Sequence, residues 1–141
     1  MSHAVFCQSG AEAVEVAIKL ARSTTGKFKI ISTYNSFHGK TLGALSATGR
    51  AVYQKPFFAP VPGFDTIPYN DLDALEDKLK NDHDEIAGFI IEPIQGEGGI
   101  IIPSDGYFKE AELLCRKYNV LFIVDEIQTG LGRTGQFFAC N

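Results

Sequence analysis

Residues 120–126 read Val-Leu-Phe-Ile-Val-Asp-Glu. Five apolar side chains in succession leave a strand no polar face to turn to water. Such a strand is covered on both sides, the usual situation in a parallel sheet clad by helices. The rest of the chain alternates in the same sense. Residues 4–8 have the composition of a short strand, residues 11–22 carry Val14, Ala17, Ile18 and Ala21 at helical spacing, and residues 27–33 are rich in β-branched residues. A polar loop at 34–39 precedes a short helix at 41–46, and four prolines predict an irregular, extended connection over 49–68. Asn70 or Asp71 caps a helix at 72–81, a buried strand follows at 88–92, and a loop with three glycines spans 93–103. Ser104 or Asp105 then caps a helix to Tyr118, ahead of the strand at 120–125 and a glycine-rich tail. The expected fold is α/β: a mostly parallel sheet with helices on both faces.

At 141 residues the chain is long enough for one domain with a substantial core. Its 45% hydrophobic and 21% charged residues are the balance of a globular protein. A net charge of -4, with Lys and Arg scattered, argues against nucleic acid as a partner. No apolar run reaches the roughly 20 residues that span a bilayer, and the N-terminus lacks a signal-peptide layout. Cytoplasm is expected, or an organelle matrix if a leader was removed. Cys7, Cys115 and Cys140 show no CxxC spacing, and His3, His38 and His83 show no paired ligand spacing with them, so no metal site is expected.

Two patterns suggest nucleotides and do not hold. Gly39-Lys40-Thr41 resembles the end of a phosphate-binding P-loop, but the required glycine five positions earlier is Tyr34. Gly130, Gly132 and Gly135 match GxGxxG, yet the chain ends six residues later, without the following helix and acidic residue of a dinucleotide site.

In open parallel sheets, ligands bind at the carboxyl ends of the strands. Ser9-Gly10, Phe37-His38-Gly39, 92–99 and 125–128 all fall there. Together they suit a ligand with a phosphate, an aromatic ring and a basic ring nitrogen. Ser9, Gly10 and Ala11 open a helix whose free N–H groups accept a phosphate, although Ser9 alone is equally a plain helix cap. Phe37 offers a ring-stacking surface, or folds back onto the core, and Ile127 covers the opposite face. Asp125, ending an apolar strand, is expected to be partly buried and in need of a partner; it either pairs with a protonated ring nitrogen or caps the next turn. Gln128 is placed to hydrogen-bond a ring hydroxyl.

Five stretches, in order and in register, resemble the class III (fold type I) pyridoxal-phosphate-dependent aminotransferases. They are Ser9-Gly10-Ala11-Glu12-Ala13, Phe37-His38-Gly39-Lys40-Thr41, Glu92-Pro93-Ile94-Gln95-Gly96-Glu97-Gly98-Gly99, Asp125-Glu126-Ile127-Gln128-Thr129-Gly130 and Gly132-Arg133-Thr134-Gly135. The resemblance implies pyridoxal 5'-phosphate as cofactor, with Ser9, Gly10 and Ala11 as phosphate cup, Phe37 stacked on the ring and His38 beside it. It implies Asp125 at the pyridine nitrogen, Ile127 under the ring and Gln128 at the ring oxygen. Glu92 matches a glutamate near the active site. Glu97 matches one that in ornithine-type members pairs with an arginine between the half-reactions, an arginine expected beyond this chain; by itself Glu97 is a solvated loop residue. Gln8 and Ala11 depart from the Asn and Thr of many relatives, which leaves the backbone donors intact.

The resemblance further implies transfer of an amino group from a small-molecule donor to a 2-oxo acid such as 2-oxoglutarate, by a homodimer. Residues 57–71 resemble ornithine aminotransferases, and residues 40–49 the putrescine and acetylornithine members. The ω-amino group of such a compound is the expected donor, with 4-aminobutyrate the alternative. The Schiff-base lysine is expected about 30 residues after Asp125, and none of the nine lysines follows Asp125. Residues 1–141 are therefore expected to be part of the cofactor-binding large domain of a protein roughly three times longer. The N-terminal arm, the lysine segment and the small domain would lie elsewhere, and the alternative is a phosphate-binding piece without catalysis.

Overall fold

A computed structural model describes residues 3–140. Helix α1 spans Gly10–Thr25, β1 Lys29–Thr33, α2 Leu42–Ala47, α3 Ala51–Gln54, β2 Phe64–Ile67, α4 Leu72–Asp82, β3 Ile86–Ile91, α5 Tyr107–Lys117 and β4 Leu121–Val124. The four strands lie in the order β2-β1-β3-β4, and every pairing is parallel. This is the expected α/β fold.

Two clusters show how the sheet is covered. Leu75 and Leu79 of α4 and Tyr107, Ala111 and Cys115 of α5 pack against Ile31, Ile67, Phe89 and Ile91. On the other face Val14, Ile18 and Ala21 of α1 and Ala44 and Ala47 of α2 meet Ile30, Phe64, Ala87 and Ile90. Successive strand residues thus serve opposite faces, which is why β1 and β3 are buried without alternation. The register slips between Lys29 and Ile30, where their partners on β3 are Ile86 and Gly88, so Ala87 is bulged.

Four expectations are corrected. Residues 4–8 form no strand; Val5 and Phe6 are exposed and have no neighbouring strand among the described residues. Composition alone does not make a strand without a ladder to join. The connection over 49–68 is not irregular throughout. It contains α3, a 3₁₀ turn at Lys55–Phe57 and the edge strand β2. Pro56, Pro60 and Pro62 precede Phe64 and Pro68 follows Ile67, leaving Phe-Asp-Thr-Ile free to pair. Neither Ser104 nor Asp105 caps α5: its N-cap is Gly106, and Ser104 instead donates through its hydroxyl and N–H to Asn70 Oδ1 at 2.8 and 3.0 Å. Finally, β4 is less buried than its apolar run demands, with Leu121 38% exposed, because no strand lies beyond it among the described residues.

Candidate active site

The carboxyl ends of β1, β3 and β4 face the N-terminus of α1, and a cavity of about 320 Å³ lies between them. Gly10, Ala11, Phe37, His38, Glu92, Asp125, Ile127 and Gln128 all line it. Ser9 and Glu97 are outside its wall.

Ser9 is the N-cap of α1. Its hydroxyl accepts the Glu12 N–H at 3.2 Å, and the Glu12 carboxylate reaches back to the Gln8 N–H at 2.7 Å. This reciprocal cap consumes two N–H groups and leaves those of Gly10 and Ala11, in the first turn, without an intrahelical acceptor. The Ser9 hydroxyl accepts in the cap and keeps its own proton to donate. The plain-cap reading of Ser9 therefore holds, and it is compatible with an anion at the helix end. Gly10 is required by packing: a Cβ there would stand 2.9 Å from Ile127 Cγ2.

Asp125 follows β4, and its N–H donates to Ile91 O at 2.8 Å, which carries the sheet ladder one residue further. Its side chain is 5% exposed. Oδ1 accepts the Ile127 N–H at 3.1 Å and Oδ2 lies 2.7 Å from His38 Nδ1. A carboxylate only accepts, so the proton of that second bond belongs to Nδ1. The turn-capping reading of Asp125 holds, and the partner that its burial requires is, within this chain, His38. His38 is itself buried, its N–H bound to Thr48 Oγ1 at 2.9 Å, while Nε2 is buried with no partner among the described residues.

Phe37 and Ile127 both line the cavity, and Phe37 also meets Tyr53 edge-on, with ring centroids 6.2 Å apart. The Phe37 N–H donates to Glu92 Oε1 at 2.9 Å, and Glu92 Oε2 takes the Gly96 N–H at 3.3 Å. Glu92, 4% exposed, thus ties the β1 exit to the β3 exit. Burial raises its pKa above the usual carboxylate value, against the opposing effects of the Phe37 N–H, the His38 charge and the Gly96 N–H; the nearby Asp125 charge adds to the rise. Gln128 packs on Gly96, where a Cβ would meet its Oε1 at 2.7 Å. Glu97, 46% exposed in its side chain, ion-pairs with Arg50 at 3.7 Å.

Gly39, Lys40, Ile94 and Thr129 also line the cavity; all four lie in the matched stretches, but none had been given a role of its own. Gly39 has φ +131°, and a Cβ on it would sit 2.7 Å from Ala11 Cβ, so only glycine lets the 37–41 turn approach α1. Its place directly after His38 in the second matched stretch was the available signal. Lys40 and Thr41, which close the second matched stretch and also resemble the end of a P-loop, have no phosphate-loop setting here; the Thr41 hydroxyl is bound to Glu15 Oε1 at 2.7 Å.

The family described as Aminotransferase class-III matches residues 1–141. The chain belongs to the class-III aminotransferases. Among solved structures of that kind, this aminotransferase chain is 44% identical to an ornithine aminotransferase from Toxoplasma gondii in which PLP partly occupies the active site; the match covers 94% of this chain and 33% of that one, with a TM-score of 0.87. It is 42% identical to an acetylornithine aminotransferase from Elizabethkingia anophelis, over 95% of this chain and 30% of that one, with a TM-score of 0.74. An (S)-enantioselective omega-transaminase from Thermomicrobium roseum is 35% identical over 94% of this chain and 35% of its own, with a TM-score of 0.87. The class-III aminotransferase chain thus spans about a third of the length of these structures.

Proposed function

We propose that this chain is the cofactor-binding part of a longer pyridoxal-phosphate-dependent aminotransferase, which transfers the ω-amino group of an ornithine-, acetylornithine- or putrescine-type donor to a 2-oxo acid such as 2-oxoglutarate. The observation that carries the reading is the buried His38–Asp125 pair, 2.7 Å apart, on the wall of a cavity bounded by Phe37, Ile127 and the start of α1.

The residues fit the cofactor. The N–H groups of Gly10 and Ala11, which have no intrahelical acceptor, would hold its phosphate together with the Ser9 hydroxyl. Phe37 and Ile127 would pack against the ring. Asp125 would hold a proton on the ring nitrogen, with His38 and the Ile127 N–H fixing the orientation of its carboxylate. Gln128 would reach the ring oxygen. Bound there, pyridoxal phosphate would supply an electron sink for the reaction at the amine-bearing carbon. Glu92 holds the Phe37 and Gly96 N–H groups and so ties the Phe37 turn to the 92–96 turn, which makes its contribution one to the shape of the site. The lysine that anchors the cofactor is placed after Asn141 in the parent chain, and a second copy is placed against the exposed apolar surface described below.

The donor class is supported by the ornithine and acetylornithine aminotransferases at 44% and 42% identity. The test is turnover by the full-length protein, loaded with pyridoxal phosphate and 2-oxoglutarate, with glutamate as the readout. Ornithine, acetylornithine or putrescine should give the highest kcat/KM. A higher value for 4-aminobutyrate would overturn the donor assignment, and no glutamate from any amine would overturn the function.

A further inference from the structure

Thr48 stands outside the cavity wall, one hydrogen bond behind His38. It ends α2 and is fully buried. Its Oγ1 accepts the His38 N–H at 2.9 Å and donates to Ala44 O at 3.0 Å, with Gly39 O at 3.3 Å as a second acceptor. Its carbonyl accepts from Gln54 Nε2 at 2.8 Å. The residues beside it are tied to the exit of β1. Ser36 Oγ donates to Ala47 O at 3.3 Å and takes the Gly49 N–H at 3.0 Å, while the Asn35 N–H donates to Gly49 O at 2.9 Å. Residues 47–49 are thereby fixed along residues 33–36, and Thr48 is the point at which they reach His38.

His38 is held at two ends. Thr48 fixes its backbone, and Asp125 Oδ2, 2.7 Å from Nδ1, fixes its ring. Both bonds are shielded from water, because His38 is 2% exposed, so neither has a ready substitute. A shift of the His38 backbone therefore draws the imidazole away from Asp125 or turns the carboxylate with it. We propose that Thr48 is a positioning residue: through the His38 N–H it sets the place of the imidazole, and through the imidazole the orientation of the Asp125 carboxylate on the cavity wall. The effect on turnover rests on the aminotransferase reading; the placement of His38 does not. Ser46 supplies the contrast. It is equally buried in the same helix, and its hydroxyl donates to Leu42 O at 2.7 Å and accepts the Val61 N–H at 3.0 Å; neither bond involves His38.

The test uses the full-length protein and the variants Thr48→Val, Thr48→Ser and Ser46→Ala. Valine has the shape of threonine without the oxygen, so Thr48→Val leaves the His38 N–H buried and unpaired. The first readout needs no cofactor: the proton resonance of the His38 Nδ1–H in protein labelled with 15N-histidine, assigned by its loss in Asp125→Asn. It should vanish or move upfield in Thr48→Val and stay at its wild-type position in Thr48→Ser and Ser46→Ala. In the loaded enzyme Thr48→Val should lower kcat by about ten- to a hundredfold, with KM for the amine and for 2-oxoglutarate within about twofold of wild type. Thr48→Ser should restore kcat, and Ser46→Ala should lower Tm and leave kcat within about twofold. Thr48→Ala carries the same expectations as Thr48→Val and replaces it if the valine variant does not fold. An unmoved resonance in a folded Thr48 variant without the hydroxyl overturns the positioning of His38. Equal losses of kcat in that variant and in Ser46→Ala overturn the role in turnover, since the helix as a whole would then be responsible. A displaced resonance in a protein whose wild type transfers no amino group sinks the aminotransferase reading and leaves the placement of His38 standing.

Discussion

At the scale of the residue, the site is built on two buried acids with different duties. Asp125 faces the cavity, and its charge is what the proposed chemistry uses. In the full-length enzyme Asp125→Asn should lower kcat by about 10²- to 10³-fold, the usual cost of removing one preorganised charge partner, with the fold intact by circular dichroism. Glu92 serves shape, and burial holds its pKa above the ordinary value of 4.5. A raised folded pKa means the native state binds the proton more tightly than the unfolded chain. The associated stability is therefore fully present below the unfolded value and is lost as pH rises through the folded one. Glu92→Gln removes this titration, so its stability, followed by urea unfolding, should fall less than that of wild type as pH is raised from 4 toward neutrality. An equal pH slope in both proteins would show that Glu92 is not a source of it.

At the scale of the element, the same kind of cap has different consequences in different places. Helix α4 is capped by Asp71, whose side chain accepts the Ala74 N–H at 2.9 Å. Helix α2 has no cap from its own N-cap residue, Thr41. Glu15, from α1, does that work at long range: its Oε1 accepts the N–H groups of Gly43 and Ala44 at 2.9 and 3.1 Å, and the Thr41 hydroxyl. Asp71→Ala and Glu15→Ala should each cost about 1 kcal/mol or somewhat more, seen as a lower Tm. Only Glu15→Ala should also weaken cofactor binding, measured by titration with pyridoxal phosphate, because α2 follows directly on the Gly39–Lys40 wall of the cavity. Equal affinities in the two variants would mean that α2 does not hold that wall.

At the scale of the molecule, the apolar surface is out of proportion to one finished domain. Phe6, Phe58, Leu131 and Ile100 are 98, 94, 79 and 74% exposed, and β4 offers an unpaired edge among the described residues. Open edges and apolar patches invite pairing with other chain segments. Residues 1–141 expressed alone should therefore associate with rising concentration in sedimentation velocity and bind a hydrophobic dye. A monodisperse, dye-silent monomer would count against both the longer parent and the dimer proposed above.

The local grammar of the fold was legible in the sequence. The apolar face of α1, the α4 cap at Asn70 or Asp71, the runs at β1, β3 and β4, and the five matched stretches all depend on neighbours near in the chain, where periodicity and capping chemistry act. Phe37 and Asp125 stand out for the same reason: each breaks or ends a local pattern. What the sequence could not show depends on pairing at a distance. β2 is too short to announce itself among prolines, and the strand composition of residues 4–8 has no partner to realise it. The His38–Asp125 bond joins residues 87 apart, Glu15 reaches α2 across 26 to 29 positions, and Arg50 meets Glu97 across 47. The amino-acid sequence by itself marked the residues proposed to carry the chemistry and three of the four strands of the sheet. Only the tertiary structure decided which polar group satisfies which, because burial removes water as a partner and leaves each buried group to whatever the fold brings within about 3 Å.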